Sequence, residues 1–296
     1  MPLEEIREHW PVAYRFLTQN VKPTRTASAL QSYDGLAERW WQFWRHRADL
    51  FRRIRTQREC VAFAKAAKYA VCVTAPTAWI YTNKVVLVEA VRPDVHAICL
   101  SSFFQAWLRN YSLRSLGGDT STMSLSISDA LATFPLPQND VPDMGRTAAR
   151  SFQDALVTWS TQREAGMTDA MNAFHTRDAT DAKIADLRHF IEQVDRSVAA
   201  AYGWPNLDTS HDFHEEVDAE GVSVVRYSLS GTSGDQALTA LIELNRVRFE
   251  SEQATAPPAK PRSSKSRAKA APVNQGALAL VDAPGAATKT SQTKAA

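Results

Sequence analysis

The sequence has little of what many catalytic and membrane chemistries require. Cysteine occurs three times, at Cys60, Cys72 and Cys99. This odd set lies in apolar surroundings with neither disulfide nor metal spacing, so reduced core residues are expected. No apolar run approaches the ~20 residues that cross a bilayer, and the N-terminus lacks a basic-then-apolar signal pattern. A soluble cytoplasmic protein is therefore expected, with no membrane partner. Glycine-rich phosphate loops are lacking too: Gly117-Gly118 has neither the spacing of a dinucleotide loop nor a strand-to-helix setting. His211 and His214, followed by Glu215 and Glu216, have no cysteine partner and no H-E-x-x-H helix. No catalytic constellation and no metal site can be assembled from them or from Asp119.

What is present is enough apolar sequence, 44%, to bury a substantial core. Charge is unevenly spread behind a net of +2. Nine Lys/Arg face two acids between Arg39 and Lys68, seven face two from Glu252 onward, and the remainder is acidic. A concentrated positive patch on a negative body suits a polyanion, because a local field steers a local contact. A solvated helix face is the plainer alternative. Within the patch, Leu36, Trp40, Phe43 and Trp44 form an apolar stripe flanked by Arg39, Arg45 and Arg47, and Arg52, Arg53, Arg55 and Arg58 follow. With Lys84, these are the candidates for contact with a phosphate backbone.

Periodicity predicts helix over Leu3–Val21, with Ile6, Trp10, Tyr14 and Leu17 on one face and a kink at Pro11. Three extended runs follow, 69–74, 78–82 and 84–89, of which the last is expected at the sheet centre. A covering helix is expected from Pro93 or Asp94 through Phe103, Trp107 and Tyr111, with Arg109 and Arg114 at its end. Helices are predicted over Thr147–Ser160 and Asp181–Ala201, pairing antiparallel, with a shorter one in 164–176. Gly203 should stop the second of these. Val222–Leu229 reads as a strand, and Gln236–Glu250 as a last helix with Leu238, Leu241, Ile242 and Leu244 inward. From Ser251 the Ala-, Pro- and Lys-rich composition predicts a disordered tail.

The ordered set Ser102-Phe103-Phe104-x-x-Trp107, an arginine-bearing turn, and Ser128-Asp129-Ala130-Leu131-Ala132-Thr133-Phe134-Pro135-Leu136-Pro137 resembles the target-recognition region of large type II restriction-modification proteins. These are single-chain adenine-N6 methyltransferases, often fused to an endonuclease, with relatives in phage-defence systems. Upstream, Lys22-Pro23-x-Arg25 and Arg39-Trp40-Trp41-x-Phe43 are similar to the family's connector. Downstream, Ala200-Ala201-Tyr202-Gly203-Trp204-Pro205, Asp212-Phe213-His214-Glu215-Glu216 and Leu241-Ile242-Glu243-Leu244-Asn245 resemble its C-terminal helical section. The family's methyl-donor loop and its Asn/Asp-Pro-Pro-Tyr/Phe loop do not occur.

The strand runs with turn-like joints and the apolar helices predict an α+β fold in which a small, mainly antiparallel sheet is covered by helices. The chain is expected to divide into a helical connector (1–60), a target-recognition domain as the resemblance has it (61–140), a helical domain beyond Pro135, Pro137 and Pro142 (141–250) and the tail (251–296). The resemblance implies a specificity portion that binds double-stranded DNA and works with a separate methyltransferase or nuclease. That partner, not this chain, would use S-adenosylmethionine. Arg109, Arg114, Asp119, Thr120 and Ser124 are the implied base-reading candidates. A protein-interaction or assembly subunit of a defence complex is the alternative.

Overall fold

The computed structural model describes residues 2–26, 35, 37–42, 47–114, 122–217 and 223–255. At the N-terminus, helix α1 (Leu3–His9) gives way to α2 (Pro11–Phe16), in which Pro11 sits at the first position, where its missing N–H costs nothing. The kink expected at Pro11 is thus a helix boundary. A π-helical turn, Leu17–Val21, leads into the helical residues 22–26 (α3). Trp10, Val12 and Phe16 are exposed along this section. Of the aromatic stripe, Trp40 is buried beneath Lys22, whose Nζ lies 5.4 Å from the ring centre. Leu36, Phe43 and Trp44 lie outside the described residues.

Helix α4 (Ala48–Ile54) buries only Ile54 and leads to β1 (Glu59–Ala64). In β1 the run Cys60–Phe63 is buried on both faces, which makes it the central strand, with β3 (Cys72–Pro76) and β4 (Val85–Val88) antiparallel on either side. Two expectations are corrected here. The 84–89 run is an edge strand. Residues 78–82 form no strand: Pro76 closes β3, its carbonyl accepts from Trp79 N at 3.2 Å and Tyr81 Oη at 2.6 Å, and Trp79 and Ile80 turn outward. The 69–74 run is extended and paired only from Cys72.

The covering helix is two helices. In α5 (Val95–Leu100) every residue is buried, and in α6 (Ser102–Tyr111) Phe103, Phe104, Trp107 and Leu108 are. Ser101 breaks the run with an extended ψ of 151°, and its Oγ accepts from Phe104 N. A hydroxyl that satisfies an orphan N–H stabilises a new helix start more than it favours continuation. Helix α6 stops at Ser112, so Arg114 is not on it. That residue belongs to β5 (Leu113–Arg114), which pairs with β6 (Met123–Ser124), itself paired with β2 (Ala66–Ala67).

Helices α7 (Asp143–Gln162) and α9 (Ala182–Tyr202) pair antiparallel, with α8 (Met167–Phe174) between them in sequence. Trp159 Nε1 donates to the Asp181 carboxylate at one end. Gly145 meets Ser197 at the other. Gly203, at φ +75°, ends α9 as its composition predicted. The hairpin β7 (His211–Val217) and β8 (Ser223–Leu229) and then α10 (Gly231–Thr255) complete the described chain. Strand β7 carries no apolar alternation and escaped the sequence reading. In α10, Ala237 and Leu241 are buried while Ile242 faces solvent, contrary to expectation. Helix α10 also extends five residues into the expected tail, and residues 256–296 lie outside the described set. One hydrophobic core draws on residues from Val61 to Leu241.

Asp195 binds three of these elements together. Its fully buried carboxylate, on α9, accepts from Ser102 N at the start of α6 at 2.8 Å. Its other oxygen lies 3.0 Å from His211 Nε2 on β7. Asp195→Ala removes the carboxylate that faces that ring, leaving Nε2 only the Ser102 hydroxyl at 3.3 Å, and strips a helix N-terminus of its acceptor; a loss of about 3–5 kcal/mol is expected in chemical denaturation. A methyl group at Gly145 would stand 2.4 Å from Ser197 Cβ and 2.9 Å from Val141 Cγ1. Gly145→Ala should therefore lower stability by about 1–3 kcal/mol despite its better helix propensity, seen as a fall in Tm.

Candidate functional site

A cleft of about 570 Å³ opens between the β2–β3 link, α6, α8 and the β7–β8 hairpin. Its floor is aromatic. Tyr69 stacks on His175 with ring centres 5.1 Å apart, and Tyr69 Oη and Lys68 Nζ both donate to Asn172 Oδ1 at 3.0 Å. Lys68 Nζ and Arg226 Cζ lie 5.3 Å and 5.6 Å from the centre of the Tyr69 ring. Arg109, exposed in the last turn of α6, lines the wall, as does the carboxylate residue Glu215.

His175 reports the field in this cleft. Burial first, and then Arg226, Arg109, Arg188 and Lys68, push its pKa down to about 3. Its Nδ1 accepts from Tyr227 N at 3.2 Å, which leaves the single proton of the neutral ring on Nε2. Burial alone would disfavour any charge, but the four cations favour an anion, and the aromatic floor offers a flat face on which a planar group can stack.

The cleft's outer wall is fixed from behind. Arg188 donates to the carbonyls of Phe174 at 3.0 Å and Thr176 at 2.6 Å, closing the end of α8. The same guanidinium lies 4.8 Å from the Phe213 ring and 5.3 Å from Tyr227, so it clamps the hairpin to α8 and α9. His211 Nδ1 faces Thr209 O at 3.0 Å while Nε2 faces Asp195, so both nitrogens meet acceptors. Burial lowers its pKa, but those bonds outweigh burial and leave it raised. The odd spacing on β7 places His214 on the opposite face from His211. Among the described residues no three His, Cys, Asp or Glu side chains gather to hold a metal ion.

The positions expected from sequence separate into groups. Arg109, Arg114 in β5 and the half-buried Ser124 in β6 lie on neighbouring elements, and Met123, in register with Arg114, lines the cleft. Asp119 and Thr120 lie outside the described residues, as does Arg45. Arg52 pairs with Asp49 at 3.1 Å, Arg53 with Glu89 at 3.3 Å, and Arg55 lies 5.4 Å from the Phe51 ring. Arg58 is exposed at the Glu59 end of β1, where its carbonyl accepts from Thr77 N. Lys84 is at the other end, where its carbonyl accepts from Lys65 N. Five strand steps, about 17 Å, separate these ends. Arg39 is exposed next to the buried Trp40, and Arg47 precedes α4 in a left-handed conformation, φ 43°. Lys68, Tyr69, His175 and Arg226 were missed. Lys68 counted only toward the charge run, Tyr69 toward a strand, and nothing in the sequence connects Arg226 with either.

These histidines shape the pH response. His175, and His96 whose pKa burial lowers to about 4, stay neutral in the folded state, while unfolded histidines take up protons below about 6.5. Their contribution is full above that value and is lost as pH falls. His211, with its raised pKa, behaves oppositely: its contribution is full below about 6.5 and is lost as pH rises through the folded value. Stability should thus peak near neutrality and fall steeply toward pH ~4. In His175→Phe, urea denaturation should show that acid-side slope reduced by about 1.4 kcal/mol per pH unit.

No protein-family model and no curated protein matches this chain. Among solved structures it is similar to the type IIL restriction-modification enzyme MmeI, determined in complex with DNA. The TM-score is 0.52 at 15% sequence identity, over 84% of this chain and 28% of that one. At such identity the likeness is one of fold, and it corresponds to a little over a quarter of the enzyme's length.

Proposed function

We propose that this chain is a DNA sequence-recognition portion of a restriction-modification or phage-defence adenine methyltransferase system. It presents duplex DNA to a separate catalytic partner, which would flip out and methylate the adenine using S-adenosylmethionine. The observation that carries this reading is the fold shared, across 84% of the chain, with part of an enzyme solved on DNA. The cationic cleft supports it, because lysine and arginine beside an aromatic floor suit phosphates and exposed bases.

Under this reading Arg109, Arg114 and Ser124, with Asp119 and Thr120 in the intervening segment, read base edges. Lys68 and Arg226 join Arg39, Arg45, Arg47, Arg52, Arg53, Arg55, Arg58 and Lys84 in holding the backbone. Residues 1–60 connect to the partner, 61–140 recognise, 141–250 support, and 251–296 add unspecific attraction. Fluorescence anisotropy with duplex DNA tests the assignment. Lys68→Ala and Arg226→Ala should each weaken binding across all sequences and reduce the slope of log affinity against log salt by about one. Arg109→Ala should instead change which sequences are selected from a randomised pool. Affinity that is indifferent to salt and to all three substitutions rejects the reading.

One observation favours the alternative, an assembly subunit: Trp10 between α1 and α2, and Val12 and Phe16 on α2, are exposed, and no side chain of either helix is fully buried. In that case the isolated chain binds no DNA, and Phe16→Ser abolishes co-purification with its partner.

A further inference from the structure

A second cavity, of about 590 Å³, opens at the Glu59 end of β1, beside the start of α7. Three independent features converge on it. His96 of α5 lines it while only 6% exposed; neither ring nitrogen has a partner in full hydrogen-bonding geometry, and the Cys72 backbone is near enough only to favour its proton weakly against burial. A buried polar group left unpaired is costly, so a ligand that supplies the partner is favoured there.

The second feature is charge. Arg58, Arg146 and Arg150 line the cavity. Arg150 is held by the Glu59 carboxylate and by Thr74 Oγ1 at 2.7 Å. Arg146 is held by Asp143 and by Val141 O at 3.1 Å. Each carboxylate positions a guanidinium while that fork keeps further N–H donors. Arg58 is exposed and borders the cavity without such an anchor. The third feature is the positive end of a 20-residue helix. Helix α7 starts at this wall after Pro142, which provides no side-chain cap, and Thr147 adds a hydroxyl one turn on.

We propose that this cavity is a binding site for a phosphate group, with Arg58, Arg146 and Arg150 supplying the charge and the His96 imidazole a hydrogen bond from within. His96 lines the same cavity as the Arg150–Glu59 ion pair. A neutral imidazole has one N–H to give, and a phosphate oxygen accepts it. The phosphate could belong to a nucleic-acid backbone or to a free phosphate ester. The site shares Arg58 with the backbone contacts proposed above, but His96, Arg146 and Arg150 belong to it alone, and it does not require the DNA reading.

The full chain, with its histidine rings followed by NMR, provides the test. Inorganic phosphate is titrated in one arm and a short duplex in another, each at constant ionic strength. Saturable movement of the His96 ring signals in either arm is expected, weakened about tenfold in Arg58→Ala, the loss appropriate to one charge-assisted bond. Arg58 is exposed, so that variant keeps its fold. Arg146→Ala, measured by calorimetry, should weaken phosphate binding to a similar degree. If duplex and phosphate compete, the source is the backbone. If phosphate alone moves the ring, the ligand is a small phosphate ester. A ring that moves in neither arm, or only linearly and equally in Arg58→Ala, overturns the site. Absence of DNA binding with saturable phosphate binding rejects the DNA reading and leaves this site standing.

Discussion

The carboxylate of Asp195 is the contact on which the arrangement of the rest depends. It is fully buried on α9, where it accepts from the first N–H of α6 and faces the His211 ring of the β7–β8 hairpin. Those partners carry Arg109 and Arg226 into one cleft. The bond to Ser102 N sets where α6 begins, and therefore where its last turn presents Arg109. The contact with His211 fixes the hairpin that carries Arg226. A buried ion pair contributes less net stability than its geometry suggests, because desolvation offsets the attraction. Its value here is positional: it gives elements far apart in sequence one relative placement.

Electrostatics in this protein is a matter of which cations are already answered. Arg52 and Arg53 have carboxylates within ion-pair distance. Such exposed pairs add little stability, about 0–1 kcal/mol each, but they reduce the outward field of the very stretch that looked most basic. A second gathering of cations surrounds His175, which burial first and then Arg226, Arg109, Arg188 and Lys68 push down to about 3. The charge that matters is assembled by the fold from the β2–β3 link, α6, α9 and β8, not from a run of arginines.

The features legible in the sequence are those determined by short-range rules. Periodicity identified α7 and α9 and their antiparallel pairing, Pro11 marked a boundary, and Gly203 stopped α9. The α+β class with antiparallel sheets follows from the same signals. The errors have equally physical causes. Strand β1 is short and follows directly on arginines, so Cys60–Phe63 did not stand out as the central strand. Trp79 and Ile80 have strand-like composition, but Pro76 closes the ladder before them. The break at Ser101 depends on one hydroxyl's choice of partner. Ile242 faces outward because α10 packs through the smaller Ser233, Ala237 and Leu241 stripe. The cleft itself was illegible because Lys68, Arg109, His175 and Arg226 meet only in three dimensions.

The close approach of α7 and α9 at Gly145 fixes a distance within the fold. Helix α7 presents Arg146 and Arg150 to the second cavity and, within two further turns, Phe152 to the cleft. Because no side chain intervenes between Gly145 and Ser197, the two helices act as a measuring rod that sets the span between these hollows. Surface loops can then vary in length and composition while the rod, and the spacing it imposes, stays constant.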